Sequence, residues 1–179
     1  WTPYVSLIHH GGSSLKKVKK NKKQIEQARQ VADNFLQKWL PKIAADPAYN
    51  RNLSLKTTGF QIDTSTNVTW NVDFKDKSRI YAFPTDSQGV GQYRVRAPLK
   101  ALTREGLVET SLANNLERLI FPTPVEIERI KPDVLLMQNG FLDHMLTAWK
   151  RYRKFNDVFM VCGQDDVVYM LPDQHPRKK

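Results

Sequence analysis

The sequence predicts an α+β fold: a long N-terminal helix packed on an antiparallel β-meander, then a helical section and a C-terminal β-hairpin. Three patterns predict it. Apolar residues recur at three- and four-residue steps from Ile25 to Ile43, alternate with polar ones from Val68 to Phe74, and return to helical spacing after Pro98. With 179 residues, 40% of them apolar and 26% charged, the composition is that of an ordinary globular chain. The length suits one domain whose core needs neither disulfide nor metal. Three parts are expected: a projecting basic start over residues 1–24, one α+β domain over 25–172, and a basic tail over 173–179.

Residues 4–9 read as a short strand, closed by Gly11-Gly12-Ser13-Ser14, whose serines can cap a following helix. A helix is expected over 15–40, with Ile25, Ala28, Ala32, Phe35, Leu36, Trp39 and Ile43 on one face and Pro41 bending its end. Its first half has little besides Val18 to offer a core. Four meander strands follow, over 53–62, 67–75, 79–83 and 92–97, with a bulge at Gly59 where the apolar parity switches. The polar connections between them are short enough for antiparallel pairing.

After Pro98 comes a short helical turn to Arg104, then a helix over 107–121. Thr123-Pro124-Val125-Glu126 combines a capping residue, a proline at the first helical position and a glutamate at the third, a strong helix start. A last helix is expected over 133–155, with Gly140 as a break and Leu142, Met145, Leu146 and Trp149 as its stripe. Strands over 158–162 and 167–171 close the chain as a hairpin. In element order alone this resembles a cystatin-like arrangement, a helix wrapped by a meander.

Charge is the sharpest functional signal. The chain carries 28 Lys and Arg against 18 Asp and Glu, a net +10. Residues 1–51 hold ten basic against three acidic residues, and the remainder eighteen against fifteen. The surplus therefore sits in the first quarter, and most of it in Lys16, Lys17, Lys19, Lys20, Lys22 and Lys23. Six ammonium groups in eight residues repel one another, and a polyanion would relieve that repulsion. The plainer alternative is a solvated helix end. A second basic group, Lys150, Arg151, Arg153 and Lys154, closes the last helix, where cations also suit the helix dipole. Tyr81, Phe83 and Tyr152 are candidates for stacking on bases if they face outward, and ordinary core if they face inward.

These features point to a non-catalytic protein that binds nucleic acid, RNA rather than DNA, as a structural subunit of a ribonucleoprotein or similar assembly with other protein subunits. No catalytic residue, metal site, cofactor or small-molecule substrate is expected. The alternative is a scaffold domain of a membrane-associated complex, its anchor upstream of Trp1 and its lysines against an anionic membrane surface. A metal-dependent nuclease built on Asp63, Asp73 and Lys75 comes third. An antiparallel pairing would leave its two carboxylates roughly 20 Å apart, too far to share an ion. One cysteine excludes an intramolecular disulfide and any multi-cysteine zinc site. Cys162 reads as a buried thiol in an apolar strand, and His144 as a surface residue.

Overall fold

In the computed structural model, four short strands form one parallel sheet: β1 (Ser78–Phe83), β2 (Val108–Leu112), β3 (Val134–Gln138) and β4 (Phe159–Gly163), in the order β2-β1-β3-β4. The structure describes residues 21–57, 59–64, 68–113, 121–139, 143–164, 170 and 172–174. The α+β composition is as expected, but the antiparallel meander and its cystatin-like element order are not there. Parallel neighbours need long crossovers, and helices supply them. Between β1 and β2 lie α2 (Gly89–Gly91), a π-helical turn (Gln92–Arg96) and α3 (Ala97–Arg104); α4 (Pro124–Ile130) precedes β3, and α5 (Asp143–Phe155) precedes β4.

The chain divides into two units, Trp1–Lys38 and Trp39–Lys179. A helix, α1 (Lys22–Ala44), runs through the boundary. In the first unit its Ile25, Val31 and Phe35 are exposed; in the second, Leu40 and Ala44 are buried. The helix continues through Pro41 to Ala44. The expected strand over 4–9 lies outside the described residues.

Alternation along each strand separates two cores. Tyr81 and Phe83 of β1 and Leu135 and Met137 of β3 face Ile127 and Ile130 of α4 and Met145 and Tyr152 of α5. Ala82 of β1 faces the other way, against Val95 and Leu99, with Ile80, Leu112 and Leu136 packed around them. Packing on both faces of the central strand β3, Leu135 and Met137 on one side and Leu136 on the other, explains why residues 134–137 form a continuous apolar run. That run, rich in Leu and Met, is the start of the helix expected over 133–155, and it is instead β3, with α5 following. The helix expected over 107–121 is β2 over its first residues, and 114–120 lie outside the described residues.

Other departures have local causes. Tyr93, Val95 and Ala97 alternate like a strand, yet residues 92–97 are helical. Val95 and Leu99 lie one turn apart on a buried face. Pro98 has no amide to donate and its ring crowds the preceding turn, so the ladder widens there into the π turn, with the Ala97 amide reaching Gln92 O. Residues 68–75 form no strand, because the Asn71 side chain accepts from the Asp73 amide at 3.0 Å and the chain turns from Asn71 to Phe74. Of the expected strand over 53–62, the described residues keep one antiparallel bridge, Leu53 with Ile62, and Gly59 takes a positive φ of 99°. β4 pairs with β3 in parallel, and most of the second strand of the expected hairpin, residues 165–169 and 171, lies outside the described residues.

The expected capping box is formed: the Glu126 amide donates to the Thr123 hydroxyl at 3.2 Å and the Thr123 amide to Glu126 at 2.6 Å. Before α2, the Asp86 carboxylate accepts from the amides of Gln88 (3.0 Å) and Gly91 (3.2 Å). This turn packs so tightly that a Cβ on Gly91 would stand 2.3 Å from the Asp86 carbonyl oxygen, so only glycine fits.

The amino-terminal edge of the sheet is held by charge. Arg79, 2% exposed, donates to the carbonyls of Asn71 (2.6 Å), Val72 (3.4 Å) and Phe74, and pairs with Glu109 of β2 at 3.2 Å. Asp133 accepts from the Arg79 amide (2.9 Å) and from Lys75 Nζ (2.5 Å), and donates its own amide to Arg79 O. Replacing Arg79 by Met leaves these carbonyls and Glu109 unpaired. It is expected to cost about 3–5 kcal/mol in urea unfolding. Burial tends to raise the Asp133 pKa, but Lys75 and Arg79 more than offset it and hold the carboxyl below its usual 3.8. Its contribution is therefore complete above that pH and is lost as pH falls through the lower folded value. Stability measured by urea midpoint from pH 5 down to about pH 2 should fall less steeply in Asp133→Asn than in the parent protein.

Candidate nucleic-acid interface

The lysine run enters the described residues at its end. Lys22 and Lys23 form the first turn of α1, which contains no acidic residue. The turn is closed by a reciprocal pair: Asn21 Oδ1 accepts from the Gln24 amide at 2.9 Å and Gln24 Oε1 from the Asn21 amide at 3.1 Å. Both lysines are exposed. They stand at the positive end of the helix dipole, where cations are disfavoured by up to about 1 kcal/mol each. Lys16, Lys17, Lys19 and Lys20 lie outside the described residues.

The second basic group ends α5. Lys150, Arg153 and Lys154 are exposed and Arg151 is half-buried. Arg151 and Lys154 both lie over the Phe155 ring, at 5.3 and 5.2 Å. Here the charges suit the dipole, so this cluster stabilises its own helix whether or not an anion comes to it.

The stacking candidates are core residues. Tyr81 and Phe83 are 1% exposed and Tyr152 is fully buried. Because β1 is a central strand of a sheet covered on both sides, it has no outer face on which a base could stack. The Tyr152 hydroxyl donates to Pro122 O at 2.6 Å. Burial pushes both tyrosines well above the ordinary phenol range, with the charge of Glu126 adding to it. Glu126 has Lys56 at 3.0 Å as its counter-charge.

Of the acidic residues weighed from sequence, Asp63 and Asp73 line the same cavity, since the antiparallel pairing that would separate them is absent. Asp73 pairs with Arg51 at 2.9 Å, and Lys75 goes to Asp133. Among the described residues, no three His, Cys, Asp or Glu side chains are placed to hold a metal ion. Cys162 is exposed on edge strand β4, not buried as its apolar setting suggested. His144 is half-buried, with its Nε2 enclosed and its ring 5.9 Å from Phe121. Connections leave β1 and β3 in opposite directions, and at such a switch point open parallel sheets bind ligands. Here Gln138 Oε1 spans the gap to the Thr85 amide at 3.1 Å, and Asp86 already caps the amides that a phosphate would use.

A basic groove, not anticipated from sequence, lies between α3 and β2. Its cavity of about 750 Å³ is lined by Arg96, Lys100 and Arg104 on the helical side and by Thr69, Thr110 and Ser111 on the other. Val68, Leu99 and Leu112 give it an apolar floor, and no acidic residue lines it. Two other cavities are acidic in part: one contains Asp63 and Asp73, the other Glu128, Asp133 and Asp157. The signal in the sequence was the four-residue step Arg96, Lys100, Arg104, concealed by the strand-like alternation just before it.

Compared with known proteins, the chain matches no family model, no curated protein and no solved structure significantly. Tyr152→Phe removes a buried hydroxyl and leaves Pro122 O without its donor, so stability should drop by about 1–3 kcal/mol in a urea melt. Nucleic-acid affinity measured by filter binding should not change, because the ring is enclosed by the core.

Proposed function

We propose that this protein binds nucleic acid without catalysis, RNA in preference to DNA, as a structural subunit of a larger assembly. The observation that carries the reading is the segregated charge of the first quarter. Residues 1–51 carry a +7 surplus, and the lysine run within them ends in Lys22 and Lys23, exposed on a first helix turn that contains no acidic residue. That arrangement works against its own helix and against itself, and a phosphate backbone relieves both repulsions. The basic end of α5 offers a second contact through Lys150, Arg151, Arg153 and Lys154. The charges of the body support a non-catalytic role, since Arg79, Glu109 and Asp133 are engaged in holding strands together.

The test is the salt dependence of binding. If all six lysines contact phosphates of a single strand, the log–log slope is about −4 and affinity falls roughly 300-fold between 50 and 200 mM salt. Replacing Lys16, Lys17, Lys19, Lys20, Lys22 and Lys23 by Gln should remove most of that slope and most of the binding, measured by fluorescence anisotropy with a labelled RNA. Equal binding by the substituted protein at low salt refutes the reading. Binding to phosphatidylserine vesicles with none to RNA would instead favour a membrane-surface role.

A further inference from the structure

We propose that the groove between α3 and β2 is a track for the phosphodiester backbone of a single nucleic-acid strand, separate from the lysine run. The inference rests on the reading that the protein binds nucleic acid, and it places a contact in the folded body.

Charge is the first argument. The helical stretch from Gly89 to Arg104 contains Arg94, Arg96, Lys100 and Arg104 and no acidic residue. Arg96, Lys100 and Arg104 line the groove together. Lys100 and Arg104 are exposed and have no ion-pair partner among the described residues. Arg96 is held in place by a bond from its Nε to Asp86 O at 3.4 Å. Cations gathered without a counter-charge keep a high local potential, and the walls of a groove focus it.

Spacing is the second. Residues four apart on a helix rise about 6 Å per step, so the three cations form a row at nearly the repeat of successive phosphates along a strand. The row faces hydroxyls rather than carboxylates. Thr103 and Thr110 share a hydrogen bond of 2.7 Å, and Ser111 accepts from the Thr69 amide at 2.8 Å.

Shape is the third. The β2 edge is not open to an added strand, because Thr69 covers it and donates its hydroxyl to Thr110 O at 2.8 Å. The concavity that remains has an apolar floor for unstacked bases. Its volume is about 750 Å³. Tyr93, 78% exposed beside Arg94 on the π turn, is the aromatic surface that the buried Tyr81 and Phe83 cannot supply.

The experiment compares the full chain with three variants: Arg96→Gln/Lys100→Gln/Arg104→Gln, the exposed pair Lys100→Gln/Arg104→Gln alone, and Tyr93→Ala. The probes are labelled oligouridylate, oligothymidylate of the same length and a duplex RNA, titrated across a salt series. The triple variant should lose about 2 from the salt slope for the single strands, and the double variant about 1.4. Tyr93→Ala should weaken single-strand binding about tenfold. Equal losses for both oligonucleotides assign the contact to the phosphodiester backbone; a larger loss for oligouridylate adds the ribose hydroxyl, and either supports the track. An unchanged slope in both charge variants, while the lysine-run variant loses its binding, overturns the track and leaves the parent function standing. Equal losses on duplex RNA overturn the single-strand assignment. Failure of the unsubstituted protein to bind any of the three overturns both.

Discussion

The fold depends on a pair of residues at the amino-terminal edge of the sheet, Arg79 and Asp133. Asp133 takes the Arg79 amide on its carboxylate and returns its own amide to Arg79 O, while its carbonyl accepts the Phe159 amide at 2.9 Å. Two side-by-side strands and the start of a third are thereby locked in register. The guanidinium then reaches sideways to Glu109 of β2 and outward to the carbonyls of residues 71–74. A buried cation is tolerated only when every donor direction is met, and meeting them here fixes the path of a segment that forms neither helix nor strand. Trp70 closes the same segment by donating Nε1 to Ile130 O at 2.7 Å. Thr69 is held along the β2 edge as a consequence. The hydroxyl wall of the basic groove is thus set by an arginine that never touches it.

That arrangement divides the charges into two populations. Of the buried or half-buried ones, Arg79, Glu109, Glu126 and Asp133 are paired, while the buried Arg129 donates to Leu53 O at 2.7 Å. The exposed cations Lys22, Lys23, Lys100 and Arg104 form no salt bridge among the described residues. Like charges closer than the screening length, about 8 Å at physiological salt, still repel, but each exposed pair costs only about 0.2–0.5 kcal/mol, so they can be kept without unfolding the protein. Their energetic worth comes when a polyanion displaces the screening ions.

How much of this was legible in the sequence follows from which signals are local. The Thr123–Glu126 capping box depends on a few neighbouring residues and is found where the pattern indicated; α1 is helical over most of the expected span, but Ile25, Ala28, Ala32 and Phe35 of its expected stripe are exposed. Strand direction is not local. Nothing in Val134-Leu135-Leu136-Met137 separates a strand buried on both faces from a buried helix turn, and the two residues that settle it, Asp133 and Arg79, are 54 positions apart. Likewise the alternation of Tyr93 and Val95 mimics a strand until Pro98 and the buried face of Val95 and Leu99 impose a helix. The lysine run was visible because it is contiguous. The groove was not, because its cations share a face only once that stretch is helical and its opposite wall comes from residues 68–69 and 110–112.

The same core limits what kind of recognition this body can perform. The central strand β1 is covered on both faces, so Tyr81 and Phe83, with Tyr152 of α5 against them, are committed to packing and offer no platform to bases. On the proposed function, contact with nucleic acid would fall to helix surfaces, through cations that meet phosphates and through Tyr93, which is exposed. Phosphate contacts set affinity and position but carry no sequence information. On that reading, affinity would follow the number of charges aligned with phosphates, and discrimination between particular sequences would have to come from another member of the proposed assembly.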